Sequence, residues 1–407
     1  MAGKLEADTR RDVMSELPAN VKEMILERLP THEAARTALL STHWRDAWLL
    51  LGRLVFDSNF FYSVRKIKDQ WYLFLSRNGV EELYISHDFA WEPHYKLPFC
   101  VVLCPTIKQL RLERMGFDFP INAPPNFPCF RSLAFFSVVF NDNANGIVST
   151  LPNLEKLDFS DCQGICNFKI NAPKLESLSI TGRLGPMFGV ESRWFALHLK
   201  AIKVLCLDAS FLLWEEDVEV ASFPTAINLQ VIKLDPFDFA NEKQLRGVLQ
   251  LLQKSPNLCE LDINAACSDD DIAAPSRLLK DPDSCIINQD LKMLKTIKIE
   301  YFCGCTLEIL FVKMLLLKSP ILERIVITES YYRKNGYMVI KILRELLCFP
   351  RASPNAQIVI KGEVYVFNSM DLHPKKHPNL SSSSKCQMPK SPTEGSQTLS
   401  KSTNYKL

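Results

Sequence analysis

One apolar pattern returns ten times between residues 80 and 327: an apolar residue, two others, an apolar residue, one other, an apolar residue. It reads Val80-Leu83-Ile85, Ile107-Leu110-Leu112, Phe130-Leu133-Phe135, Leu154-Leu157-Phe159, Leu175-Leu178-Ile180, Ile202-Leu205-Leu207, Leu229-Ile232-Leu234, Leu258-Leu261-Ile263, Leu294-Ile297-Ile299 and Leu322-Ile325-Ile327. The central positions advance by 21 to 36 residues. Residues two apart in a strand share a face, so each copy offers one short strand with its apolar side chains turned the same way.

A repeat of roughly 20 to 29 residues with this spacing is the signature of leucine-rich repeats, in which short strands stack into a curved solenoid. The competing reading is a non-repetitive α/β domain with chance spacing. A shared phrase introduces several strands: Leu151-Pro152-Asn153-Leu154, Ala172-Pro173-Lys174-Leu175, Ser255-Pro256-Asn257-Leu258 and Ser319-Pro320-Ile321-Leu322. Proline there ends the preceding element and biases its neighbour to extended geometry. Leu245, Val248, Leu249 and Leu252 predict a helix in one returning segment, and Leu310, Met314 and Leu317 in another. The segments 122–125 and 141–145 read as irregular rim loops.

Ahead of the repeats, residues 12–52 read as three short helices. Leu17-Pro18 opens the first, and Val21, Ile25 and Leu29 form its stripe until Pro30. Thr31 and Ser41 are placed to cap the second and third helices. Trp44, Trp48 and Leu51 give the third stripe. So small a unit leaves much of its apolar surface wet. The expectation is an incomplete core that a partner protein finishes.

Composition excludes several classes. The 407 residues carry 48 basic and 46 acidic side chains, a net formal charge of +2 that makes no electrostatic case for nucleic acid. With 47% hydrophobic and 23% charged residues the chain reads as ordinary globular protein. No apolar leader opens it, and no run approaches the roughly 18 apolar residues of a spanning helix, so no membrane association is expected. The thirteen cysteines read as reduced, buried packing residues. Nucleophile elbows, phosphate loops and paired metal-ligand motifs are missing, and neither a catalytic residue nor a cofactor is assigned.

Leu17-Pro18, Ile25-Leu26, Leu29-Pro30, Ala35-Arg36-Thr37-Ala38, Ser41 and Trp44-Arg45 with Trp48 together resemble an F-box in its plant form. The segment 287–362 resembles the FBD module that follows F-box and leucine-rich segments in plants. It carries Leu294-Lys295-Thr296-Ile297, Leu315 to Pro320, Leu346 to Pro354 and a closing strand Ala356 to Ile360. The resemblance implies an α/β chain with an N-terminal three-helix F-box (12–52), a leucine-rich solenoid (53–286) and an FBD module (287–362) that covers the sheet edge. A tail at 1–11 precedes them, and a disordered Ser/Lys/Pro-rich tail at 363–407 follows, with Ser391-Pro392 as a weak phosphorylation candidate. It further implies a non-catalytic, substrate-recognising subunit of an SCF-type ubiquitin ligase in the nucleus and/or cytoplasm. That subunit would dock on a Skp-family adaptor, and through it a cullin, using Leu17, Pro18, Val21, Ile25, Leu26, Leu29, Pro30, Ala35, Leu40, Ser41 and Trp44. The alternative is a leucine-rich interaction scaffold with no part in ubiquitination.

Overall fold

The computed structural model describes residues 13–45, 47–57, 79–86, 104–117, 129–140, 149–165, 170–182, 198–212, 224–266, 279, 287–329, 344–361 and 405–406. The loops expected at 122–125 and 141–145, the 1–11 tail, Ser391-Pro392 and most of the C-terminal tail lie outside them. All ten apolar copies fall on strands. The strands are β1 (Arg53–Phe56), β2 (Glu82–Ser86), β3 (Gln109–Glu113), β4 (Ser132–Phe136), β5 (Lys156–Ser160), β6 (Ser177–Thr181), β7 (Val204–Leu207), β8 (Val231–Phe237), β9 (Glu260–Ala265), β10 (Thr296–Phe302), β11 (Arg324–Glu329) and β12 (Gln357–Lys361). They pair in sequence order, every neighbour parallel.

Register turns the repeated spacing into a core. Leu54, Leu83, Leu110, Leu133, Leu157, Leu178, Leu205, Ile232, Leu261, Ile297, Ile325 and Ile358 stand side by side in one column. The residue two further on makes a second buried column from Phe56 to Ile360. At the entrance to each strand from β1 to β10, one carbonyl accepts from two successive N–H groups of the next repeat. Gly52 accepts from Glu81 and Glu82, and Glu155 from Glu176 and Ser177. Lys295 accepts from Glu323 and Arg324, all at 2.8–3.1 Å. These bonds hold successive strands flush.

The X-Pro-Asn-Leu phrase is a turn. Leu154 N–H donates to Leu151 O, Leu175 to Ala172 and Leu258 to Ser255, with proline at the second turn position, where its fixed φ fits and its missing N–H is not needed. At the strand exits Arg114, Ser137 and Asp161 adopt left-handed φ of 52–55°, and each N–H donates to the next repeat. Gly182 takes the equivalent place at φ +101°, where a Cβ would lie 2.4 Å from the Asp161 carboxylate.

The returning side changes along the arc. In the earlier repeats short parallel pairs, Gly116–Phe117 with Val139–Phe140, close over an aromatic core in which Phe135 and Phe159 stack at 5.4 Å. In the later repeats it is helical, as expected. The Asn241 side chain accepts from Lys243 and Gln244 N–H and caps the helix Glu242–Gln253, which buries Leu245, Val248, Leu249 and Leu252. Helix Thr306–Lys318 buries Phe311, Val312 and Leu315, leaving Leu317 exposed. Its Glu308 carboxylate is buried and accepts from Cys303 and Cys305 N–H, both at 3.0 Å.

Three expectations change. Leu51-Leu54-Phe56 is a further copy of the pattern, so Leu51 belongs to the entrance of β1 and not to a helix stripe. The segment after 287 repeats helix, Ser-Pro turn and strand, but it continues the sheet instead of covering its edge. β12 is the last parallel strand, and Tyr405–Lys406 pairs antiparallel on its outer side. Cys303 is disulfide-bonded rather than reduced, its partner lying outside the described residues.

Helix Glu242–Gln253 crosses the turn Ala209–Leu212 at Gly247, where an added Cβ would lie 2.5 Å from Leu212 O and 2.8 Å from Leu212 Cβ. Gly247→Ala is expected to lower stability by about 1–3 kcal/mol, as overpacking does, measured by urea denaturation followed by circular dichroism.

Candidate protein-docking surface

The N-terminal unit is built from helix α1 (Ala19–Leu26), helix α2 (Thr31–Arg36), a 3-10 turn at Thr37–Leu39 and a second 3-10 turn at Ala47–Leu50. Pro18 and Pro30 each stand immediately before a helix, their carbonyls accepting the first helical N–H groups at 2.9–3.1 Å. The third element is a single 3-10 turn rather than an α-helix, because the chain turns extended at Arg53 to enter the sheet.

The expected caps do other work. Thr31 Oγ1 accepts from Val55 N–H at 2.8 Å, fastening α2 to β1. The Ser41 hydroxyl lies 2.8 Å from the Ser15 hydroxyl. Trp44 Nε1 donates to Met14 O at 3.2 Å, and Lys22 Nζ donates to Ser15 O at 3.0 Å while standing 5.5 Å from the Trp44 ring centroid. The turn that precedes α1 is thus clamped onto the tryptophan.

The expected contact residues separate into three sets. Leu26 (0% exposed) and Trp44 (2%) are interior and, with Ala34, Trp48 and Leu51, make the core of the unit. That corrects their placement on a contact face and also corrects the incomplete core, since the chain finishes it with its own tryptophans and β1. Leu17, Val21, Ile25, Ala35 and Ser41 are half-buried. Pro18, Leu29, Pro30 and Leu40 are exposed. The exposed large apolar groups of the unit include residues not foreseen: Leu39 (86%), next to Leu40 (69%), and Val13, Met14 and Met24. The signal was there in Met24-Ile25-Leu26 and Leu39-Leu40, because adjacent residues on a helix point about 100° apart and cannot all face one core. So much exposed apolar surface on so small a unit marks an interaction site.

The open face of the sheet carries polar side chains. Tyr84 Oη donates to the Glu113 carboxylate, which also accepts from Arg111 at 2.9 Å. Burial would raise the Glu113 pKa, but hydrogen bonds from Tyr84, Arg111 and Ser86 hold it below the ordinary value. Burial pushes the Cys162 and Cys305 thiols up to about 11, leaving them protonated and unreactive at neutral pH. Among the described residues no group of three or more His, Cys, Asp and Glu is arranged to hold a metal ion, and no helix is long and apolar enough to cross a membrane.

Comparison with known proteins agrees with this division. Residues 14–56 match the model of the F-box domain, and residues 68–193 match that of the leucine-rich repeats of FBD-associated F-box protein At5g56370. The F-box/FBD/LRR-repeat protein At1g13570 of Arabidopsis thaliana is 26% identical over 86% of this chain and 98% of its own length. The F-box/FBD/LRR-repeat protein At5g53840, from the same plant, is 23% identical over 86% and 96%. Over most of its length the chain is thus similar to plant F-box/FBD/LRR-repeat proteins. The F-box match extends through β1, so the F-box unit and the solenoid share their first strand and, through it, one core.

Two outcomes test this description. Leu26→Ala is expected to cost about 2–5 kcal/mol, whereas Leu39→Ala should stay within about 0.5 kcal/mol, both by chemical denaturation. Asp208, at the exit of β7, is buried, and desolvation raises its pKa although Oδ1 accepts from Ser210 N–H at 2.8 Å. The folded chain therefore holds a proton that the unfolded chain has lost, and stability falls as pH rises from the ordinary carboxylate value through the raised one. Asp208→Asn keeps the acceptor and removes the charge. Its denaturation midpoint should exceed the wild-type one at neutral pH, and the gap should close as the pH drops below that window.

Proposed function

We propose that this chain is the substrate-recognition subunit of an SCF-type ubiquitin ligase, its F-box docking on a Skp-family adaptor and through it a cullin, its solenoid holding a protein target. The observation that carries this reading is the pairing of buried Leu26, Trp44 and Trp48, already packed within the chain, with exposed Leu39 and Leu40 on the same F-box unit. The fold has no internal use for those two side chains. A partner that covers them gains the hydrophobic free energy of removing them from water, about 25 cal/mol per Å² of apolar surface. On this reading Pro18, Met24, Leu29 and Pro30 extend the contact, and half-buried Leu17, Val21, Ile25, Ala35 and Ser41 shape it.

The F-box match supports the same role, because F-box proteins generally act as non-catalytic adaptors in such ligases. This chain would then contribute proximity: holding a target near an activated ubiquitin carrier raises the effective concentration of its lysines. We place the FBD segment at 287–362, where its strands β10 to β12 lengthen the solenoid, and the complex in the nucleus and/or cytoplasm.

Leu39→Asp/Leu40→Asp is expected to reduce co-purification with a Skp-family adaptor by at least about tenfold, with an unchanged thermal unfolding midpoint. Full adaptor capture by a folded double variant would overturn the assignment of this face. A solenoid-bound protein that does not accumulate when the chain is removed from cells would favour a scaffold without a role in ubiquitination.

A further inference from the structure

Where the strands begin, the solenoid carries an interrupted ladder of side-chain hydrogen bonds. Four residues before the central buried position of β8 stands Asn228, and at the same place before β9 stands Asn257. Asn228 Nδ2 donates to Lys200 O at 2.6 Å, and Asn257 Nδ2 donates to Ile227 O at 2.8 Å. Each amide satisfies the turn carbonyl of the repeat before it. In the next two repeats the equivalent residues are Met293 and Ile321, 41% exposed each. An apolar side chain has no donor to offer Pro256 O or Lys292 O. The fold thus loses two turn-to-turn bonds and exposes two large apolar groups in their place, a substitution that packing does not explain.

The surroundings have a definite character. Ala226 N–H donates to Lys254 O at 2.8 Å, and Leu291 N–H donates to Lys318 O at 2.7 Å, so a Lys-Ser-Pro turn is tied to the residue before exposed Ile227 in one case and to the residue two before Met293 in the other. Leu317, also exposed, precedes the second of these lysines. Lys200, Lys254, Lys292 and Lys318 have no carboxylate within ion-pair distance among the described residues. Lys203 and Lys295 are paired with Glu176 and Glu323, and Asp290 stands beside Leu291. Among the described residues these four lysines have no ion-pair partner and make the edge basic, and the apolar groups stand at the entrances of β8, β10 and β11, a span of about 14 Å at the usual strand spacing.

We propose that this edge, Ile227, Met293, Leu317 and Ile321 with Lys254, Lys292 and Lys318, is a docking surface for an acidic segment of a partner protein that carries apolar anchors. Charge complementarity selects the occupant: the cations repel a basic chain, while an acidic segment is drawn in and places apolar side chains over Met293 and Ile321. This inference does not rest on adaptor docking, since the surface lies on repeats remote in the sheet from the F-box.

The test is selection of a display library of short random peptides on the full-length chain. Met293→Asn/Ile321→Asn, which restores the amides found at 228 and 257, serves as counter-selection, and its thermal unfolding should be at or above the wild-type temperature. Peptides rich in Asp and Glu with interspersed apolar residues should be enriched. They should bind the wild-type chain at least about tenfold tighter than either that variant or Lys292→Glu/Lys318→Glu, and more weakly as salt rises. Enrichment of basic or uncharged peptides, binding by either variant equal to that of the wild type, or no enrichment over the counter-selection would overturn the proposal. Adaptor capture by the Asn variant should equal that of the wild type, so the outcome is independent of the ligase reading.

Discussion

Successive repeats are tied together at one backbone atom: the carbonyl at the strand entrance that accepts two N–H groups from the repeat that follows. It runs from Gly52 past Glu155 to Lys295 and brings β2 to β11 in at the same level. Only with the strands flush do the apolar positions form columns, and only in columns does a strand with two inward side chains find a core. The geometry also requires N–H groups at the two residues before each central position. Prolines 152, 173, 256 and 320 accordingly stand earlier, in the turn, where no donor is needed.

A stack of this kind is stabilised through contacts between neighbours, so its ends are where it is weakest. The N-terminal end is joined to the F-box by Thr31 and by a shared core that runs from Trp44 and Trp48 into Leu54 and Phe56. This sets a division of labour within the small helical unit. Its tryptophans attach it to the solenoid, and its exposed leucines face outward. A partner held on that face would be placed rigidly relative to whatever the sheet holds, as a proximity-based ligase requires.

The two long edges of the sheet differ as well. Strand exits repeatedly adopt left-handed backbone, at Arg114, Ser137, Asp161 and Tyr301, and carry carboxylates such as Asp208, Asp235 and Glu300 in the later repeats. Strand entrances in the same repeats carry lysines and, at Met293 and Ile321, apolar groups where asparagines would complete the turn ladder.

The architecture was legible in the amino-acid order because leucine-rich spacing is local: L-x-x-L-x-L specifies a strand and its inward face without reference to anything distant. All ten copies read from the chain became strands, and the helix over Leu245–Leu252 followed from its own periodicity and the Asn241 cap. The first copy, Leu51-Leu54-Phe56, was hidden because Leu51 also continued the spacing of Trp44 and Trp48. Only the tertiary structure decided the docking face. In helices of six to eight residues several apolar side chains lie within one turn, and which of them turn inward depends on what packs alongside. β1 and the two tryptophans took Leu26 and left Met24, Leu39 and Leu40 to the solvent.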